Sequence, residues 1–346
     1  MKASAPTVPP GRVLIIKPSS LGDVVTALPV LRGLRRAFPD AHLAWLLGDV
    51  FAPLLDGDPD LDEVILFHRK RLGRCWRSLS AARDLRRLIR TLRAGKFDWA
   101  LDLQGLFRSG YFARRSRAGV RAGFADAREG ARLFYTHRVG PEAPHTVDRN
   151  IALAAALGVE ASRDDMTLHV PDAAAEFSER FARERGLADQ AFLVAVPPTR
   201  WPSKRYPVRH WRTVAAGLTD NAPLVLLGAP GDERLCGAIA DGLSGVINAA
   251  GQTSIPQMVA LIAAAAGVLC SDSAAKFVAP AVGTDAVVLI GPTRVDETGP
   301  VGSGRAIVAD VPCRGCRKRR CGHGTCMELI DPRDVIAAGR DMLASA

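Results

Sequence analysis

Short apolar runs alternate with amphipathic stretches along most of the chain. Arg12-Val-Leu-Ile-Ile-Lys17 reads as a buried strand. Pro18-Ser19-Ser20-Leu21-Gly22-Asp23 follows as a turn, and an amphipathic helix is expected from Val24 to about Phe38, where Pro39-Asp40 stops it. Residues 41–47, 63–67 and 97–103 predict further strands, the last running into Gln104-Gly105-Leu106. Helical text runs from about Val147 to Leu157, and residues 170–176 read as a linker. The alternation then restarts. Strands are expected at 191–196, 224–227, 246–248, 267–270 and 286–290. Helices are expected around Trp211–Leu218, at Glu233–Gly242 and from about Pro332 to Leu343. Strands alternating with helices predict an α/β fold with parallel, doubly wound sheets. The restart predicts two domains, 1–175 and 176–346, and in such sheets ligands bind beyond the carboxyl ends of the strands.

Length and composition fit this division. The 346 residues exceed one ordinary domain, and 48% of them are hydrophobic, as expected of a globular chain. Residues 1–11 show no apolar core of a secretory signal, and no run of about 18 uncharged apolar residues is present to span a bilayer. The expectation is a cytoplasmic protein. Seven cysteines are too few for a disulfide scaffold.

Charge changes the picture more. The net charge is +10, and residues 1–175 carry 27 Lys and Arg against 19 Asp and Glu. Residues 66–96 alone hold eleven cations and a single acid, Asp84. Such a run is most often a solvated helix face. Its alternative is a clamp for an anionic ligand, since arginine pairs bidentately with phosphate and carboxylate. Aromatic residues make up only 6% of the chain and no nucleic-acid motif is present, so a nucleic-acid partner is not expected.

Five places could carry chemistry. Ser19 to Asp23 opens a helix after the first strand; Asp23 either caps that helix or acts as a general base. The loop from Pro198 to Pro207 offers Thr199, Lys204 and Arg205 to a diphosphate, or is an exposed basic loop. Asp232 and Glu233 follow a strand, where a carboxylate accepts ribose hydroxyls or caps a helix. Ser271-Asp272-Ser273-Ala274-Ala275-Lys276 brings small residues to a helix start, where backbone N–H groups can approach phosphate. Cys313, Cys316, Cys321 and Cys326 fall within 14 residues, with His323 among them. That spacing suits a structural zinc or iron, or else free thiols or a local disulfide.

These residues also resemble a family. Arg12 to Pro29, reading RVLIIKPSSLGDVVTALP, closely resembles the start of the lipopolysaccharide heptosyltransferases of glycosyltransferase family nine. Asp102-Leu-Gln-Gly105, His145 to Arg149, Lys204 to Pro207, Gly228-Ala-Pro230, Ser271 to Ser273 and Gly291-Pro-Thr293 follow in the family's order. The resemblance implies a GT-B fold: two Rossmann-like domains facing across a cleft, with the last helix crossing back. It implies inverting transfer of a heptose from ADP-heptose to an acidic lipopolysaccharide core, without a catalytic metal. Asp23 matches the general base. Thr199, Lys204, Asp232, Asp272, Ser273 and Lys276 match the donor side. Ser20, Gly22, Asp102, Gln104 and the basic residues Arg69, Lys70, Arg71 and Arg74 match the acceptor side. A peripheral position at the inner face of the cytoplasmic membrane follows from such an acceptor. The family's late cysteine cluster is also present. There are two departures, one of them a Trp201-Pro202 insert expected to reshape the donor loop. The donor loop usually reads Asp-Ser/Thr-Gly-x-x-His, and here Ala274 and Phe277 replace the glycine and histidine, with Lys276 expected to replace the lost charge. Two rivals therefore stay open: a relative using another nucleotide sugar or acceptor, and a sugar-nucleotide-binding protein without catalysis.

Overall fold

The computed structural model describes residue 6 and residues 8–140 and 143–345. Two compact units meet in sequence between His169 and Val170.

The first unit is built on six parallel strands: β1 (Arg12–Ile16), β2 (His42–Gly48), β3 (Glu63–Phe67), β4 (Trp99–Asp102), β5 (Val120–Phe124) and β6 (His137–Val139). Their spatial order is β3-β2-β1-β4-β5-β6. β1 is fully apolar after Arg12 and is flanked on both sides, Ile16 standing level with Leu46 of β2 and Asp102 of β4. Burial on both faces explains why it reads as a continuous apolar run. β5 (VRAGF) and β6 (HRV) carry no such run, being interrupted by Arg121 and Arg138, and do not read as strands from the sequence.

The expected single helix after β1 is two helices, Leu21–Val25 and Leu28–Ala37. Pro29 is the reason. It lacks an N–H and so sits at the start of a helix, not in its interior. The basic segment forms a short helix, Arg69–Leu72, and a long one, Leu79–Ala94, capped by the Ser78 hydroxyl. Leu88 and Leu92 of the long helix are buried against Ile65 and Phe67, while its arginines face outward.

The second unit repeats the plan with β7 (Leu193–Val196), β8 (Leu224–Leu226), β9 (Val246–Asn248), β10 (Gly267–Ser271), β11 (Ala286–Leu289) and β12 (Arg305–Ile307). Their order is β12-β11-β10-β7-β8-β9, all parallel. Read from the other side, it is the order of the first sheet. The segment expected as a linker is largely a helix, Asp172–Glu184, with Asp172 in its first turn and Ala174, Ser178 and Phe181 buried. The last helix, Pro332–Ser345, packs on its own unit's sheet: Val335, Ala338 and Met342 join a core with Leu193, Leu218 and Leu269. Among the described residues no helix is long and apolar enough to cross a membrane.

In both sheets the strand order reverses at one point, between β1 and β4 in the first and between β7 and β10 in the second. Loops leaving neighbouring strands diverge there, which opens a crevice at the carboxyl edge. Asp23, Asp102 and Gln104 lie at or just after the strands of the first point, and Lys204, Asp272 and Lys276 after those of the second.

Candidate functional site

At the first switch point, the loop after β1 meets the loop after β4. Asp23 sits in the first turn of its helix. Its Oδ2 accepts the Ser20 backbone N–H at 2.8 Å and the Ser20 hydroxyl at 2.7 Å. The N-cap is Ser20, and Asp23 closes a capping box from the third helical position, which uses one carboxylate oxygen. Asp23 also lines a polar pocket of about 360 Å³, with Lys17, Gln104, Gly105, Arg128, Thr146, Arg149 and Asn150 among its walls. Gly22 is buried and Ser20 half-buried beside it.

Lys17 was missed from sequence. It ends the β1 run, is 5% exposed and donates from Nζ to the Leu103 carbonyl at 2.5 Å. Burial lowers its pKa below the ordinary lysine value, against the opposing pull of the Asp23 and Asp102 carboxylates. A lysine closing an otherwise apolar strand was the available signal. Arg149, in the helix Thr146–Ala155, falls within the family-like run His145 to Arg149, whereas Arg128 comes from the turn after β5 and carried no signal.

Asp102, expected to meet the acceptor, is fully buried. Its Oδ1 accepts the Gln104 and Gly105 N–H groups at 2.9 and 3.0 Å, and its Oδ2 accepts the Tyr135 hydroxyl at 2.5 Å. Burial raises its pKa, and these donors partly offset the shift. Asp102 therefore shapes the pocket loop and does not face a ligand. Tyr135 reaches it across Gly123, where an added Cβ would lie 2.3 Å from the tyrosine ring. Gln104 does line the pocket, and its buried Oε1 has no hydrogen-bond partner in the protein.

Arg69, Lys70, Arg71 and Arg74 are exposed on the same carboxyl edge, in the segment after β3. Arg71 is paired with Asp84. A wider hollow of about 1120 Å³ lies at the opposite edge, around Gly11, Lys96, Asp98 and His137, and contains none of the candidate residues.

At the second switch point, Asp272 is the centre. It follows β10, whose Cys270 and Ser271 stand level with Val196 of β7 and Leu289 of β11. The loops after all three strands converge on its carboxylate. Oδ1 accepts from Lys276 Nζ at 2.5 Å; Oδ2 accepts from Lys204 Nζ at 2.8 Å and from the Thr293 hydroxyl. Burial pushes the Asp272 pKa up, but the ammonium groups of Lys276 and Lys204 outweigh it and hold the carboxyl below its ordinary range.

Lys276 is 3% exposed and committed to this internal pair, so the expectation that it replaces a lost phosphate contact is corrected. Phe277, in the place of the family histidine, is buried in the core, with Lys276 Nζ 4.8 Å from its ring centre. Lys204, whose side chain is 15% exposed, is the cation nearer the surface. It lies 4.5 Å from the centre of the Trp201 ring, and Arg319 lies 5.2 Å from the same ring. Thr199 donates to the Trp201 carbonyl at 2.9 Å and so shapes this turn. Ser271 Oγ is buried without a partner, and Ser273 is half-buried at the helix start. Asp232 accepts the Ala229 N–H at 2.9 Å, a loop-closing role that leaves it partly exposed.

The cysteine segment braces this site. Ser203 donates to the Lys318 carbonyl at 2.6 Å. Gly315 and Arg317 N–H groups donate to the Gly291 and Pro292 carbonyls at 3.0 and 2.6 Å. Cys326 packs against Gly291, where an added Cβ would lie 2.7 Å from its Sγ. The four cysteines are free. They are near neighbours: burial and then the thiolates of Cys313, Cys316 and Cys321 raise the Cys326 pKa, while Gly324 and His323 N–H groups lower that of Cys321. Yet among the described residues no three Cys, His, Asp or Glu side chains are arranged to hold a metal ion. The zinc or iron expected at Cys313, Cys316, Cys321 and Cys326 thus finds no ligand set.

Two Rossmann-type units, each with a polar site at its switch point, have the strand plan of a GT-B glycosyltransferase. The sequence profile of glycosyltransferase family 9 (heptosyltransferase) matches residues 85–326, and the chain belongs to that family. It is a glycosyltransferase. It is similar to lipopolysaccharide heptosyltransferase 1 of Pseudomonas aeruginosa, 29% identical over 326 residues, covering 90% of this chain and 88% of that protein. It is 26% identical to lipopolysaccharide heptosyltransferase 1 of Escherichia coli K12, covering 89% of this chain and 94% of that one. Among solved structures, that of Escherichia coli ADP-heptose lipopolysaccharide heptosyltransferase II superposes with a TM-score of 0.78 at 25% identity, covering 96% of this chain and 99% of that chain.

Proposed function

We propose that this protein transfers a heptose from ADP-heptose to an acidic lipopolysaccharide-core acceptor, with inversion at the anomeric carbon. The observation that carries the reading is Asp23, a carboxylate at the first switch point in a polar pocket whose other carboxylate, Asp126, is paired with Arg149. Asp23 takes the proton of the acceptor hydroxyl as its oxygen attacks the anomeric carbon and the bond to the departing ADP breaks. Lys17 and Arg128 supply positive charge to an acidic acceptor beside that carboxylate.

Charge develops on the departing diphosphate. Lys204 meets it, oriented by Asp272 on one side and by the Trp201 ring on another. N–H groups at the start of the helix Ala275–Ala281, which no side chain caps, add donors, and no metal is needed in this scheme. Asp232 serves the ribose of the donor. The enzyme works at the cytoplasmic face of the membrane that holds its glycolipid acceptor.

Phe277 and the internal pairing of Lys276 favour a second reading, a relative whose donor is another nucleotide sugar. A panel of nucleotide sugars in a transfer assay decides between them: ADP-heptose should be used at least about tenfold more efficiently than the others. The reverse order would select the second reading.

Two further outcomes are expected. Replacing Arg69, Lys70, Arg71 and Arg74 by Gln should raise the KM for acceptor by roughly tenfold, at about 0.3–1 kcal/mol per exposed contact. The KM for donor should stay unchanged in steady-state kinetics; equal loss of both would return these residues to a solvated surface. Arg319→Ala should raise the KM for donor several-fold, on the order of the 0.5–1 kcal/mol of an exposed cation–π contact. Arg319→Lys should restore most of it, while a loss that Lys does not rescue would mark Arg319 as a folding residue only.

A further inference from the structure

The first unit leaves an unusual set of apolar side chains in water. Among the described residues nine large hydrophobic residues are exposed, and five of them, Val50, Trp76, Leu79, Phe107 and Leu133, lie in segments that follow strands of the first sheet. Because β1 to β6 are all parallel, every segment leaving a strand of this sheet emerges at the same carboxyl edge. Val50 follows β2, Trp76 and Leu79 follow β3, Phe107 follows β4, and Leu133 lies in the turn after β5. Trp76 is 71% exposed, Leu79 85% and Leu133 74%. Phe107 is joined to that last turn by edge-on packing on Phe134, ring centres 5.4 Å apart.

Cations stand among them. Arg69, Lys70, Arg74 and Arg77 are exposed around Trp76, the Arg77 guanidinium lying 3.8 Å from its ring centre. Arg108, Arg128 and Arg132 are exposed around Phe107 and Leu133. The nearby acids are engaged: Asp49 with His68, Asp84 with Arg71, and Glu129 with the Phe107 N–H. Asp23 and its pocket open on this same edge.

A nucleic acid would use the cations but gain nothing from Leu79 and Leu133. A bilayer with anionic headgroups uses both. Apolar side chains enter the interface, while Arg and Lys stems extend so that their charges stay at the phosphates. We propose that the carboxyl edge of the first unit docks on an anionic phospholipid bilayer, with Trp76, Leu79, Phe107 and Leu133 entering the headgroup region. The proposal deepens the glycolipid reading and rests on it for its purpose: the sugar of a membrane-held acceptor would meet Asp23 without leaving the bilayer.

The test uses the full chain with neither donor nor acceptor. Co-sedimentation is measured with vesicles of mixed phosphatidylglycerol and phosphatidylethanolamine, and with phosphatidylcholine vesicles. The protein should bind the first and hardly the second. Trp76→Ser/Leu79→Ser should lower partitioning about tenfold or more, and Phe107→Ser/Leu133→Ser should act in the same direction. Lipids brominated in the acyl chains should quench the tryptophan fluorescence of the parent protein, and Trp76→Phe should lose most of that quenching. Partitioning unchanged in both double variants would overturn the proposal. So would binding without quenching that disappears in moderate salt, which is adsorption by charge alone. A dimer in sedimentation velocity that Trp76→Ser/Leu79→Ser abolishes would assign the patch to a second copy and overturn it as well. Transfer to a water-soluble, deacylated acceptor tests the glycolipid reading separately. If that transfer persists while vesicle binding is absent, only the docking proposal fails.

Discussion

Asp23→Ala is expected to lower the turnover of sugar transfer by roughly 10²–10⁴-fold, the usual effect of removing a general base. The residues proposed to hold the donor lie in the other unit, around Asp272, so donor affinity should change by less than about twofold. Alanine alone would leave one ambiguity, because Asp23 also holds the Ser20 N–H and hydroxyl. Loss of such a cap costs about 0.5–2 kcal/mol. Asp23→Asn separates the two roles. An amide oxygen can still accept from Ser20, so stability should stay near that of the parent protein. An amide cannot take a proton at neutral pH, so turnover should fall as far as in the alanine variant. A melting curve and a kcat on the same two variants check this; an active Asn variant would reduce Asp23 to a cap.

The second large effect is on stability. Asp272→Ala should cost about 3–5 kcal/mol, because it strands the ammonium of Lys276 in the interior and that of Lys204 beside it. For a unit of this size that is roughly 6–20 °C in melting temperature. Donor affinity should fall too, since Lys204 loses the carboxylate that orients it. The pH dependence follows from the lowered Asp272 pKa. A carboxylate depressed in the folded state contributes stability that is present above its ordinary value of 3.8 and is lost as pH falls through the lower folded value. The parent protein should therefore lose this part of its stability below about pH 4, and the variant should lack it at every pH. Thermal melts of both proteins across the acid range measure it. Equal melting temperatures at neutral pH would show that the cluster is not a structural pair.

Much of the fold is legible in the sequence, and the reason is burial. β1, β2, β7 and β10 lie inside their sheets and need apolar residues on both faces, so their runs stand out. β5 carries Arg121 and two glycine- or alanine-sized positions, and β6 and β12 are three-residue strands with an arginine each, so they give no comparable signal. The Asp172–Glu184 helix hid behind Pro171 and a run of alanines that reads equally as a linker.

The site divides in the same way. Asp23, Lys204 and Asp272 stand in motifs that recur in a family, so their positions are visible locally. Their partners are not. Thr293 reaches Asp272 from 21 residues away, Tyr135 reaches Asp102 from 33, and Ser203 reaches Lys318 from 115. Such pairings are set by which strands lie side by side, a property of topology and not of spacing. The same limit explains the two corrected expectations. Lys276 reads as a free cation until Asp272 is placed beside it, and Asp102 reads as a ligand contact until Tyr135 is placed beside it.

The most direct test is the transfer reaction itself. The protein is incubated with ADP-heptose and an acidic lipopolysaccharide-core acceptor that lacks heptose. Mass spectrometry follows the acceptor, and NMR gives the anomeric configuration of the product. The account predicts an acceptor heavier by one heptose, joined with inverted configuration, and no such product from Asp23→Asn. An acceptor left unmodified by ADP-heptose but modified by another nucleotide sugar, or a product of retained configuration, would contradict it.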